Sequence, residues 1–164
     1  MAKAIVRLDN VSATRNGALI KSAKYMGGGT TEAAIENGSL VAIGGLMDGQ
    51  REVHAAITPT ATTGYFGLVC TPEVEYDESG YHGLDTYENK SGNTIRTIIL
   101  QTGDIFSVTE EALSGTPAKG KIVELQAGTK GKVVTTVTAG STKVGEIIAV
   151  ETVGRFTYYV IEVK

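Results

Sequence analysis

Tryptophan is absent from this chain of 164 residues, which has one cysteine, two histidines and three prolines. A lone Cys70 allows no disulfide within the chain, and its apolar neighbours Gly67, Leu68 and Val69 mark it as a small core residue. One cysteine with His54 and His82, which are not spaced as a ligand pair, makes no zinc set, so no metal and no cofactor is expected. No run approaches the roughly 20 apolar residues that span a bilayer. The opening MAKAIVRLDN lacks the apolar stretch of a signal peptide, so synthesis in a reducing cytoplasm without a membrane partner is expected.

Glycine is abundant, with 21 residues, and Thr and Val recur throughout, a composition that favours strands and turns over helices. Strands are expected over 51–57, 65–70, 94–100, 105–108, 121–126, 132–138, 143–153 and 155–163, with turns at Gly103, Gly128, Gly140 and Gly154. Asn37-Gly38, between Ala33-Ala34-Ile35 and Leu40 to Ile43, predicts a two-residue hairpin in preference to a short helix over 31–36. The expected fold is mainly β, an antiparallel β-sandwich or small barrel with an extended N-terminal arm and one or two short helical turns. Residues 1–29 read as that arm, partly extended, with Lys3 to Leu8 strand-like, a turn at Arg15-Asn16-Gly17 and Ala18 to Met26 as a candidate second strand, ending in the joint Gly27-Gly28-Gly29. Residues 30–164 read as the body, divisible into 30–117 and a barrel-like 118–164.

The net charge of −3 conceals a division. Residues 1–24 hold Lys3, Arg7, Arg15, Lys21 and Lys24 against Asp9 alone, a net +4 that leaves −7 for the rest. Those five basic residues are the candidate contacts to a partner, on an arm that docks on an acidic protein surface; an ordinary solvated strand face explains them equally well. Without interleaved aromatics they do not point to nucleic acid, which an acidic body would repel. Between Glu73 and Glu88 lie six acidic groups and no basic one, which reads as an exposed loop.

Reaction chemistry has little to stand on. The acidic loop lacks the alternating oxygen ligands of an EF-hand, and Gly128-Thr129-Lys130-Gly131-Lys132-Val133 lacks the spacing of a phosphate loop and has Val133 where a hydroxyl is needed. Ser79, His82 and Asp85 have the residue types of a nucleophilic triad, but triads are assembled from distant segments and no G-x-S-x-G elbow is present. No catalytic residue is assigned and no enzyme is expected.

The densest local pattern runs from Asn89 to Gly115. Thr94 to Leu100 reads as a strand closed by Thr102-Gly103-Asp104, and Ile105 to Val108 as a second strand. Ser107 or Thr109 then suits an N-cap, with Glu110 and Glu111 in the first turn and Gly115 at the end. Together with Glu36-Asn37-Gly38-Ser39-Leu40-Val41 and the acidic Pro72 to Asp77, the segment Gly103 to Leu113 resembles the head decoration (cement) proteins of tailed bacteriophages, over roughly residues 33–115. The resemblance implies a structural protein of the virion exterior. Such a protein adds to an assembled shell, bridges neighbouring major capsid proteins, often as a homo-oligomer, and has no catalytic residues.

For pairing with a second copy, the last strand is the candidate. It carries Phe156 and Tyr158 on one face and Tyr159 and Ile161 on the other. A central strand or an edge covered by a partner subunit accounts for this two-sided apolar pattern. A surface adhesion or carbohydrate-binding module is the alternative reading, on Tyr65, Tyr76, Tyr81 and Tyr87 near polar loops. A small hydrolase using Asp77, His82 and Asp85 is a third.

Overall fold

A computed structural model describes residues 1–11, 16–74 and 83–164. The chain is mainly β, with helical structure confined among these residues to single 3-10 turns. Its strands are β1 (Ile20–Tyr25), β2 (Leu40–Leu46), β3 (Val53–Ile57), β4 (Phe66–Val69), β5 (Thr94–Ile99), β6 (Ile105–Thr109), β7 (Leu113–Ser114), β8 (Ile122–Glu124), β9 (Gly131–Val134), β10 (Lys143–Val153) and β11 (Phe156–Val163). The first five close into a barrel in the order β1-β3-β2-β4-β5, and the rest form a six-stranded sheet in the order β6-β11-β10-β8-β9-β7.

The barrel wall is shared between two cores. Val41 and Ile43 of β2, Val69 of β4, and Ile95 and Ile99 of β5 pack inside the barrel with Ala23 and Ala56. The alternate positions Leu40, Leu68 and Ile98, with Cys70 and Leu100 just beyond the strands, face the sheet and meet Phe106, Val108, Val123, Val144, Ile147 and Ile161. Successive side chains of a strand point to opposite faces, so burial on both faces explains why β4 reads as a continuous apolar run and why β5 ends in the adjacent pair Ile98-Ile99. Cys70 is buried in the second core, and desolvation pushes its thiol up to about 11 against the opposing pull of Arg96.

Residues 1–29 do not form a separate arm. β1 pairs in parallel with β3, placing Ala23 beside His54, and antiparallel with β5, placing Ala23 beside Ile95, so it closes the barrel. The strand lies within the 18–26 expected, but in the barrel and not on an arm, since a narrow barrel needs only the small, fully buried Ala23 at this point. Ile5 and Val6 are buried, the Arg7 N–H donates to Ser107 O, and the Thr109 N–H donates to Ile5 O, so this segment lies along β6. The glycine triplet is a fixed turn rather than a joint. Gly27 has φ +48°, and its carbonyl accepts from the N–H and from the hydroxyl of Thr58, each at 3.0 Å.

Asn37-Gly38 makes a turn, but not the expected hairpin. Ile35 pairs with Asn89, while β2 pairs with β3 and β4. The Asn37 side chain explains the choice: its amide donates to Thr71 O at 2.8 Å and its carbonyl accepts from the Thr71 N–H at 3.1 Å and from Asn89 Nδ2 at 3.2 Å. A buried Asn satisfied by distant backbone outweighs a local turn preference. Thr109 likewise does not cap the 3-10 turn at Glu110–Ala112, because its hydroxyl accepts from the Ile5 N–H at 3.1 Å.

In the sheet, β10 and β11 form the longest pairing, with a register shift between Ile147 and Ala149. Gly145 permits the close approach of β11, since a Cβ there would collide with Glu162 O. Between barrel and sheet, the segment 94–114 carries the chain across: β5 belongs to the barrel, β6 and β7 to the sheet.

Because β1 closes the barrel and residues 5–7 cover β6, removing residues 2–26 should abolish the cooperative urea unfolding transition of the whole protein. A truncated chain that still unfolds in one sharp transition would contradict the integral position of β1.

Candidate functional site

The basic residues near the start of the chain are mostly engaged inside the molecule. Lys3 Nζ lies 2.6 Å from Glu88 Oε2 and 3.3 Å from Glu36 Oε1, and Glu36 Oε2 accepts from the Ala4 N–H at 3.0 Å. The Glu88 hydrogen bond, helped by Glu36, raises the Lys3 pKa against partial desolvation. Arg7 holds Asp9 at 2.7 Å and Glu151 at 3.0 Å and lies 5.8 Å from the centre of the Tyr158 ring. Its hydrogen bond with Asp9 raises the Arg7 pKa and lowers that of Asp9. Lys24 pairs with Glu32 at 3.0 Å. Arg15 lies outside the described residues. Glu36, Glu88 and Glu151 stand far from their partners in sequence, so a count of charges along the first 24 positions could not reveal those pairings.

Lys21 is different. Among the described residues it makes no ion pair, and it lines a depression of about 320 Å³ on the barrel wall together with Ile20, Ser22, Arg51, Glu52 and His54. Parallel pairing of β1 with β3 brings these segments together, with Ser22 beside Val53 and Ala23 beside His54. His54 Nδ1 donates to Gly44 O at 3.0 Å, which orients the ring, and the exposed Leu46 is the register partner of His54. Directly opposed residues of two strands share a face, so an apolar side chain flanks a mainly cationic depression. Sequence reasoning missed Arg51 and His54 because they lie 30 and 33 residues from Lys21, where Glu52 offsets Arg51. Only the parallel β1/β3 pairing joins them.

A second cavity, of about 220 Å³, is bordered by Lys3, Glu36, Glu88, Glu111, Lys130 and Tyr25. Its charges are of both signs and Lys3 is already engaged by Glu36 and Glu88, so it presents no single ligand chemistry. Among the described residues no group of three His, Cys, Asp or Glu side chains is placed to hold a metal ion. No helix among them is long and apolar enough to cross a membrane.

No protein-family model, curated protein or solved structure matches the chain. The site is therefore read from its own geometry.

The residues expected to pair subunits lie in a different setting. β11 is central, between β6 and β10. Ile161 is fully buried in the core, Tyr158 is buried beside Arg7 and stacks edge-on with Phe156, and Phe156 and Tyr159 are half-buried. Of the two explanations for the two-sided apolar pattern, the central strand holds, and Tyr158 and Ile161 are spent on the protein's own core. Tyr65 is exposed and Tyr87 is half-buried, its hydroxyl donating to Pro72 O at 3.3 Å. Tyr76, Tyr81, Asp77, Ser79 and His82 lie outside the described residues. Asp85 is engaged by Arg155 at 2.8 Å.

Sequence reasoning also passed over Glu124, whose side chain is 1% exposed. It accepts from Lys132 Nζ at 2.9 Å, the Thr138 N–H at 2.7 Å and the Thr138 hydroxyl at 2.7 Å. Burial pushes its pKa up, but these hydrogen bonds outweigh it and hold the carboxyl below its ordinary value of 4.5. Glu124 thus ties β8 to β9 and to the loop that follows. A carboxyl with a depressed folded pKa stabilises fully above its unfolded value and loses that contribution as pH falls through the folded one. Glu124→Gln should lower stability by about 2 kcal/mol at neutral pH, measured by urea unfolding. The gap to wild type should narrow on acidification below 4.5, and a gap independent of pH would contradict the assignment.

Proposed function

We propose that this chain is a structural decoration protein of a tailed-phage head. On this reading it acts without catalysis, binding the outer surface of an assembled shell and bridging major capsid proteins. The reading begins from the resemblance carried by Glu36 to Val41 and Gly103 to Leu113. The observation that carries it further is the depression lined by Lys21, Arg51 and His54, with exposed Leu46 at its side. Most basic groups near the start of the chain are paired internally, whereas Lys21 and Arg51 meet here on a rigid barrel wall and, among the described residues, make no ion pair.

Such a surface suits an acidic protein face with an apolar rim, and charge complementarity would give register and association rate more than raw affinity. Affinity would come from repetition: a shell offers many copies of the same site, and a protein that bridges two of them gains effective concentration. Contacts present only on the expanded lattice stabilise that state by mass action.

Purified protein mixed with expanded capsids of its phage should sediment with them. Lys21→Glu combined with Arg51→Glu should weaken that binding about tenfold or more, the equivalent of 1.4 kcal/mol, while leaving the fold unchanged by circular dichroism. Protein that stays in the supernatant with intact expanded capsids would overturn the reading.

A further inference from the structure

The cavity of about 220 Å³ lies on the seam between barrel and sheet. Tyr25 of β1 and Ser39, next to β2, line it from the barrel, while Ala112 of the 3-10 turn and Lys130, next to β9, line it from the sheet. Ligand sites favour such junctions, where two packed parts leave a concave space and a few polar groups converge on it. Its charges are of both signs, and a ligand that itself carries both signs is what such a lining matches.

Part of the lining is engaged within the protein and part is not. Lys3 is held between Glu36 and Glu88, and Glu36 also accepts from the Ala4 N–H. Glu88 uses Oε2 on Lys3, and among the described residues no donor reaches its Oε1. Glu111 and Lys130 make no ion pair and no side-chain hydrogen bond among the described residues. Ser39 is only 6% exposed, yet its hydroxyl has no hydrogen-bond partner among them either. Among the described residues Arg96 Nε is the one buried side-chain atom that is both sealed off and unpartnered, so the Ser39 hydroxyl is open to the cavity it lines. Buried polar groups normally have a partner, and a ligand in the cavity would supply this one.

The unengaged groups define the ligand. Lys130 suits an anionic end, with the Ser39 hydroxyl as a second donor to it. Glu111 and the free oxygen of Glu88 suit two cationic ends. Two ammonium groups and three carboxylates give the lining a net charge of −1, which disfavours an acidic molecule. The small side chains of Ala4, Ala34 and Ala112 leave room for a short aliphatic stem and give it an apolar wall. We propose that this cavity binds a diamino acid of the size of lysine, its carboxylate on Lys130 and Ser39 and its two amino groups on Glu111 and Glu88. Hydrogen bonds between ionised partners are the strong ones, and three of them fix the orientation of a small ligand. The proposal is independent of the capsid reading, because neither Lys21 nor Arg51 lines this cavity.

Titration of the ¹⁵N-labelled full chain with L-lysine, at constant pH and ionic strength, should give saturable amide shifts at residues 39, 111, 112 and 130. The same titration with 1,5-diaminopentane, which is lysine without its carboxylate, should show binding about tenfold weaker or more. Lys130→Met should weaken L-lysine binding by a similar factor and leave the diamine unaffected, whereas Glu111→Gln should weaken both. The amide spectra of the free variants, unchanged away from the substituted residue, report that the fold is kept. No saturable shift at these amides up to about 50 mM L-lysine would overturn the proposal. So would a diamine that binds as tightly as L-lysine, or L-lysine binding that is insensitive to Lys130→Met.

Discussion

Three barrel strands, β2, β4 and β5, are apolar on both faces, and the rest of the molecule is arranged around covering them. Leaving either face in water would forfeit roughly 25 cal/mol for each Å² of apolar surface. One face is buried by curling the sheet until β1 meets both β3 and β5. The other is buried by laying a second sheet across Leu40, Leu68 and Ile98. Barrel and sheet therefore stand or fall together, since the same strands furnish a wall to each core. The position of β1 follows from this constraint: a ring without it would expose the inward-facing Ile95 and Val41.

Much of this was legible in the sequence and some was not, for reasons that are physical. β10 and the strands on either side of Gly103 could be read closely, because their apolar runs are long, β-branched and punctuated by glycine. Apolar content on both faces of β11 pointed to burial, which the central position between β6 and β10 supplies. Pairing was harder. A local signal at Asn37-Gly38 lost to hydrogen bonds with Thr71 and Asn89, partners more than 30 residues away. β1 has two lysines and one fully buried alanine, a composition that looks like an exposed arm until the narrow barrel it completes is seen. Ion pairs such as Arg7 with Glu151 or Lys3 with Glu88 join opposite parts of the chain, and no local reading finds them.

The same partition governs the surface. Charged side chains near the N-terminus serve first as internal ties: Lys3 fastens the start of the chain to residues 36 and 88, and Arg7 ties it to β10. Surface ion pairs of this kind contribute little stability one by one, but they decide which charges stay available. Of the described basic residues in the first 24 positions, Lys21 alone makes no ion pair among the described residues, and it lies with Arg51 and His54 on a wall made rigid by the closed barrel. A rigid wall loses little conformational entropy on docking, which suits a protein whose proposed work is to hold other subunits in place. The segment 94–114 is framework, since its strands link the two cores.

The most direct test of this account is a cryo-EM reconstruction of expanded capsids incubated with the purified protein. The account predicts added density on the outer surface, fitted by the barrel and sheet as one body, with the wall bearing Lys21 and Arg51 turned toward the shell. Shells without added density, or density in which that wall faces solvent, would contradict it.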